Sequence, residues 1–106
     1  MRNFADFEIS LRQPDCPENI SPCLQALWHD AKNEWEKAHS IIQDINDNNA
    51  SWIHAYLHRR EGDIWNANYW YTRAGKTMPD CSLKDEWQQI VQSFLPHGND
   101  SESLPL

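Results

Sequence analysis

The sequence predicts an all-α chain, and three observations carry that reading. From Ser21 onward apolar residues recur every three or four positions, the period of one helix face. Cap residues stand where these runs begin, and glycine or proline stands where several of them stop. Only three glycines occur in 106 residues, too few for the tight turns of an all-β protein.

Residues 1–20 stand apart. They mix Phe4, Phe7, Ile9 and Leu11 with charges and contain Pro14 and Pro17, so they read as an extended arm lying over the domain. The alternation through FEISL would also suit a short strand, but no neighbouring segment offers it a partner. SPCLQALWHDAK then joins an N-cap serine, Ser21, to a proline at the first helical position, where its missing N–H costs nothing. Leu24, Leu27, Trp28 and Ala31 follow at helical spacing. Asn33 breaks this helix and is placed to cap the next, NEWEKAHSIIQDI, with Glu36 as capping partner. Trp35, Ala38, Ile41, Ile42 and Ile45 make its apolar face.

The polar turn NDNNA leads to a third helix, Ala50 to Glu61, stopped by Gly62. Asp63 caps a fourth, which ends near Ala74 before Gly75. Ser82 with Asp85 opens a fifth, SLKDEWQQIVQSFL, striped by Leu83, Trp87, Ile90, Val91 and Phe94. Pro96 closes it, and residues 97–106 read as a flexible acidic tail. The expected organisation is an arm (1–20), a helical repeat domain (21–96) and that tail, with about five helices.

Displacing the chain against itself by 29 residues lays the first two helices on the next two. Ala26 meets Ala55, His29 meets His58 and Ala38 meets Ala67. Leu24 falls on Ile53, Trp28 on Leu57, Trp35 on Ile64, Ile41 on Trp70 and Ile42 on Tyr71, while the break at Asn33-Glu34 lands on Gly62-Asp63. One helical hairpin cannot bury its own face, so two stacked antiparallel hairpins are expected, with the fifth helix capping one end and the arm covering the other.

The second unit resembles a tetratricopeptide repeat. Gly62-Asp63 sits at the inter-helix turn, Ala67, Tyr71 and Ala74 match its small, aromatic and small positions, and Pro79 matches its closing proline. The first unit matches more weakly, through Asn33-Glu34 and Ala38, and is shorter than the usual period. The string HAYLHRREGD…NANYWYTRAG is also similar to a group of short, mostly bacterial, uncharacterised proteins, over about residues 24–95. The tetratricopeptide resemblance implies a peptide- or protein-binding groove lined by the outer face of each unit's first helix. Carried over, those positions are Asn49, Trp52, Tyr56, Arg59 and Arg60. Two aromatics, an asparagine and two arginines suit a peptide backbone, a carboxylate and an apolar side chain. The matching places in the first unit, Ile20, Cys23, Leu27, Asp30 and Ala31, share no such chemistry.

The net charge of −7 is unevenly spread. Residues 1–49 hold four basic and nine acidic side chains, residues 50–79 four and two, residues 80–106 one and five. An acidic chain makes a poor partner for nucleic acid, whose binding rests on phosphate neutralisation. Apolar runs are only a few residues long, so no membrane partner is expected, and the first residues show no secretory leader. Cys16, Cys23 and Cys81 are odd in number and without CxxC spacing, which reads as reduced thiols in a soluble cytoplasmic protein.

His54 and His58 lie one helical turn apart and so share a face, as two ligands of one metal would. His29, the repeat mate of His58, is the candidate third ligand. The competing reading makes them packing residues beside Ala67, Tyr71 and Ala74, hydrogen-bonded to Tyr71, an asparagine or a free carbonyl; on it no metal or other cofactor is expected. Among the clustered aromatics Tyr71 faces inward, Trp70 makes an inter-repeat contact and Tyr69 is an exposed rim residue suited to a partner or to self-association. Arg59, Arg60, Arg73 and Lys76 fall at helix C-termini, where cations complement the helix dipole. No nucleophile stands at readable spacing from a base, and no glycine loop cradles phosphate, so a binding or scaffolding module is preferred to an enzyme.

Overall fold

A computed structural model describes residues 3–95, and these contain six helices and no strand. The helices are α1 (Phe4–Ser10), α2 (Pro22–Ala31), α3 (Trp35–Ile42), α4 (Asn48–Arg60), α5 (Ile64–Arg73) and α6 (Leu83–Phe94). The acidic tail expected at 97–106 lies outside the described residues.

α2 and α3 form one hairpin, α4 and α5 a second, and α3 packs on α4 to stack them. The 29-residue duplication is visible in the turns. Asn33 and Gly62 both take left-handed backbone, at φ 65° and 88°. The next N–H in each turn, Glu34 or Asp63, donates to the carbonyl of His29 or His58, both at 2.9 Å. Ala38 and Ala67 are fully buried at equivalent places, small enough to let the paired helices approach closely. The Trp35 indole N–H crosses between hairpins to the Leu57 carbonyl at 2.7 Å.

Several boundaries differ from the sequence reading. Asn33 ends α2 instead of capping α3, which starts from Glu34 without a side-chain cap bond and stops at Ile42. α4 starts at Asn48, because the Asp47 carboxylate accepts from the Ala50 N–H at 2.7 Å; much of the supposed turn NDNNA is therefore helix. The extended arm contains a helix, α1, capped by the Asn3 side chain on the Asp6 N–H. Phe4 and Phe7 share one face of it and set their rings 5.7 and 5.9 Å from the Trp87 ring.

Past α1 the arm covers the outer side of α2. The Trp28 indole N–H reaches the Ser10 carbonyl at 3.4 Å, and Lys32 Nζ donates to the carbonyls of Leu11 and Gln13 at 2.9 and 3.0 Å.

α6 holds the main departure. It does not cap the open end of the stack against α5 but lies across α2 and α4, with α1 behind it. Trp87, Ile90 and Val91 are buried there with Leu27, Ile53 and Leu57 in the main core, and the Trp87 indole N–H donates to the Leu27 carbonyl at 3.1 Å. A smaller core of Ala55, Ala67 and Tyr71 fills the second hairpin. No described helix is long and apolar enough to cross a membrane.

Candidate functional site

α2 and α4 are the first helices of their hairpins, so the face they share is the expected groove. α6 occupies it. Glu86, on the buried stripe of α6 and only 1% exposed, places its carboxylate among residues of the second hairpin. Arg59 Nη1 donates to Oε1 at 2.7 Å, the Trp52 indole N–H to Oε2 at 3.1 Å, and the Tyr71 hydroxyl lies 2.6 and 2.8 Å from the two oxygens. Arg59 also donates to the Cys81 carbonyl just before α6. Trp52 and Arg59 thus hold a carboxylate, as their chemistry suggests, but it belongs to the same chain.

The other expected groove residues are also engaged or displaced. Arg60 donates to the Asp30 carbonyl at 2.8 Å and to Asn33 Oδ1 at 2.7 Å, pinning the second hairpin to the turn of the first. It also pairs with Asp30 Oδ2 at 2.9 Å, and Tyr56 is the other side-chain partner of that buried carboxylate. Burial pushes the Asp30 carboxyl above its usual range, partly offset by Arg60. Tyr56 is buried, and burial beside Asp30 raises its phenol well above the ordinary value. Asn49 is an exposed residue in the first turn of α4. What stays open is a cleft of 740 Å³ lined by Trp52, Lys76, Pro79, Glu86 and Gln89, with Lys76 Nζ 4.1 Å above the Trp52 ring.

The histidines form a second constellation. His54 and His58 share a face of α4 and meet His39 of α3. His39 Nε2 and His54 Nε2 lie 2.9 Å apart, and one ring nitrogen from each of the three residues falls within 4.8 Å of the others. His29 takes no part; its Nδ1 pairs with Glu34 at 2.7 Å in the hairpin turn. The repeat mate therefore misleads, because the third ring comes from the helix packed across α4. Tyr71 is not the partner of these rings either, since its hydroxyl goes to Glu86.

Indoles wall the trio. Trp70 stacks on His54 at 3.9 Å and 12°, and Trp35 stacks on His39 at 4.9 Å and 10°. The His58 Nδ1–H donates to Glu61 Oε2 at 2.7 Å. Burial, then the neighbouring His39 and His58, hold the His54 pKa down to about 3. Burial and His58 lower that of His39 as well. At neutral pH both rings are uncharged and keep a lone pair.

The outer face of α5 is open. Trp65 is 78% exposed, Tyr69 49% and Ile64 47%, and Trp65, Asn68, Tyr69 and Thr72 line a shallow cavity of 290 Å³. Arg73 lies over the Trp70 and Tyr69 rings, 5.2 and 5.9 Å from their centres. Tyr69 is legible in the sequence as a rim residue, whereas Trp65 is signalled only by its position off the Ala67–Tyr71–Ala74 stripe. Comparison with family models, curated proteins and solved structures finds nothing that matches this chain.

Proposed function

We propose that the chain is a non-catalytic docking module of tetratricopeptide-like hairpins, whose contact surface is the outer face of α5. The exposed aromatic group there, led by Trp65, is the observation that carries this reading. Trp, Tyr and Arg are the side chains over-represented at energetic hot spots, and Arg73 stands beside the rings. The stacking order supports it too. α3 packs on the first helix of the next hairpin, whereas among the described residues its counterpart α5 packs on no helix but α4.

The occupant we infer is an amphipathic helix of a partner protein, with apolar residues for Trp65 and Tyr69 and a carboxylate for Arg73. A head-to-tail second copy fits less well, because the arm already covers α2, the helix such a copy would present.

A photo-crosslinking side chain placed at Asn68, beside Trp65 on the same face, with Asn49 as control site, captures the partner for identification. With that partner purified, Trp65→Ala with Tyr69→Ala should weaken binding at least about tenfold, the loss of a hot spot of roughly 1.4 kcal/mol or more. Helical circular dichroism should not change. Equal crosslinking from Asn49, or binding indifferent to the double substitution, would remove the proposal. A concentration-dependent mass abolished by Trp65→Ala would replace the partner helix with a second copy.

A further inference from the structure

We infer that His39, His54 and His58 form a three-imidazole site for a divalent transition ion, Zn²⁺ foremost, with a fourth coordination position left open. Three imidazole nitrogens converging between two packed helices are the donor set of such a site. The set contains no thiolate, which would select copper(I), and no carboxylate in the inner group, which would suit magnesium or calcium.

The hydrogen bonds favour an ion over simple packing. Nδ1 of His58 is spent on Glu61, which orients the ring and leaves Nε2 as the nitrogen available to an ion. His58 makes no hydrogen bond to His39 or His54 among the described residues. Between those two, the facing Nε2 atoms can share only one hydrogen at 2.9 Å. A cation at the centre uses all three lone pairs and moves the shared hydrogen to the far side of its ring. Zn–N bonds of about 2.0–2.1 Å in a tetrahedron set the nitrogens about 3.4 Å apart. The observed 2.9 Å and the 4.8 Å limit bracket that spacing, so ring rotations of modest size complete the site.

The setting matches as well. Trp70 and Trp35 hold two of the rings flat, and His54, 6% exposed, forms the floor. His39 and His58 are only half-buried, so theirs is the side on which water or a partner's anionic group would supply the fourth ligand. A rival cluster of His58, Glu61 and Asp63 lies at the surface, but its carboxylates are already used: Glu61 on His58, Asp63 on Asn66.

The test uses the full chain stripped with a chelator, then titrated with Zn²⁺ by calorimetry and Co²⁺ by visible absorption. One ion per chain is expected, with the strong d–d bands of a four- or five-coordinate cobalt. His39→Gln should weaken Zn²⁺ binding by more than about 100-fold and Glu61→Gln by about 10–100-fold, while Asp63→Asn leaves it unchanged. Should a variant fail to fold, imidazole ¹⁵N spectra of the unsubstituted chain still decide: Zn²⁺ must shift His39, His54 and His58 and spare His29. No binding tighter than millimolar, binding that survives His39→Gln, or binding lost with Asp63→Asn would overturn the site.

Discussion

Replacing Glu86 with alanine isolates the contact that fills the groove. The carboxylate is buried and receives hydrogen bonds from Arg59, Trp52 and Tyr71. Deleting it strands an arginine whose side chain is 15% exposed, leaves an indole N–H and a phenol without acceptors, and opens a void on α6. Removing one member of a buried ion pair costs about 3–5 kcal/mol, most of it from the uncompensated charge. Arg59 reaches some water, so the lower half of that range, about 3 kcal/mol, is expected. A domain of this size has roughly 5–15 kcal/mol in total, so the midpoint in urea should fall by a fifth or more. Tryptophan fluorescence follows the transition. Adding Arg59→Ala to Glu86→Ala removes the stranded charge, so the pair should cost less than the sum of the single changes by about 1–2 kcal/mol. A loss under about 1 kcal/mol for Glu86→Ala, or strict additivity, would show that α6 is not anchored this way.

Other outcomes follow from the same coordinates. His54 has a folded pKa of about 3, below its unfolded value, so the unfolded chain takes up the proton first. Its contribution to stability is complete above pH 6.5 or so and is lost as pH falls toward 3, with a slope of up to about 1.4 kcal/mol per pH unit. His54→Phe keeps a ring against Trp70 and should flatten that slope in urea titrations across this window; an unchanged slope contradicts the assignment. Gly62→Ala meets no atom within 4 Å but must hold φ at 88°, so it should cost about 1–2 kcal/mol by thermal denaturation, and Gly62→Asn less. An alanine variant as stable as the parent would refute the turn geometry. Cys23 is buried and its thiol is pushed up to about 11 by burial and by Asp47. Mass-resolved alkylation at mildly alkaline pH should modify it after Cys16 and Cys81, and equal rates would count against its placement.

Local signals carried most of the second hairpin. Gly62 and Asp63 mark the turn between α4 and α5, and Ala67, Tyr71 and Ala74 phase α5 inward, because capping and periodicity act within a few residues. α1 was obscured because seven residues support two periods. FEISL alternates, but Phe4, Phe7 and Leu11 also fit a helix that Asn3 caps, and Trp87, far along the chain, gives that face its partner. The stripe of α6 announced a buried face without saying which helices bury it. Glu86 carried the missing information: a carboxylate in phase with Leu83, Trp87 and Ile90 requires a cation opposite, and Arg59 is that cation. His39 is hidden from sequence spacing for a related reason. Sequence spacing pairs His54 with His58 on one helix, whereas His39 joins them only through packing of α3 on α4.

α6 closes the α2–α4 face, which is why we propose α5 as the surface offered to partners. Hydroxyl-radical footprinting of the six tryptophans in the native chain tests it most directly. Oxidation should be fast at Trp65, slower at half-buried Trp52 and slowest at Trp28 and Trp87. Trp52 and Trp87 reacting as readily as Trp65 would mean that α6 lies elsewhere and the groove is open.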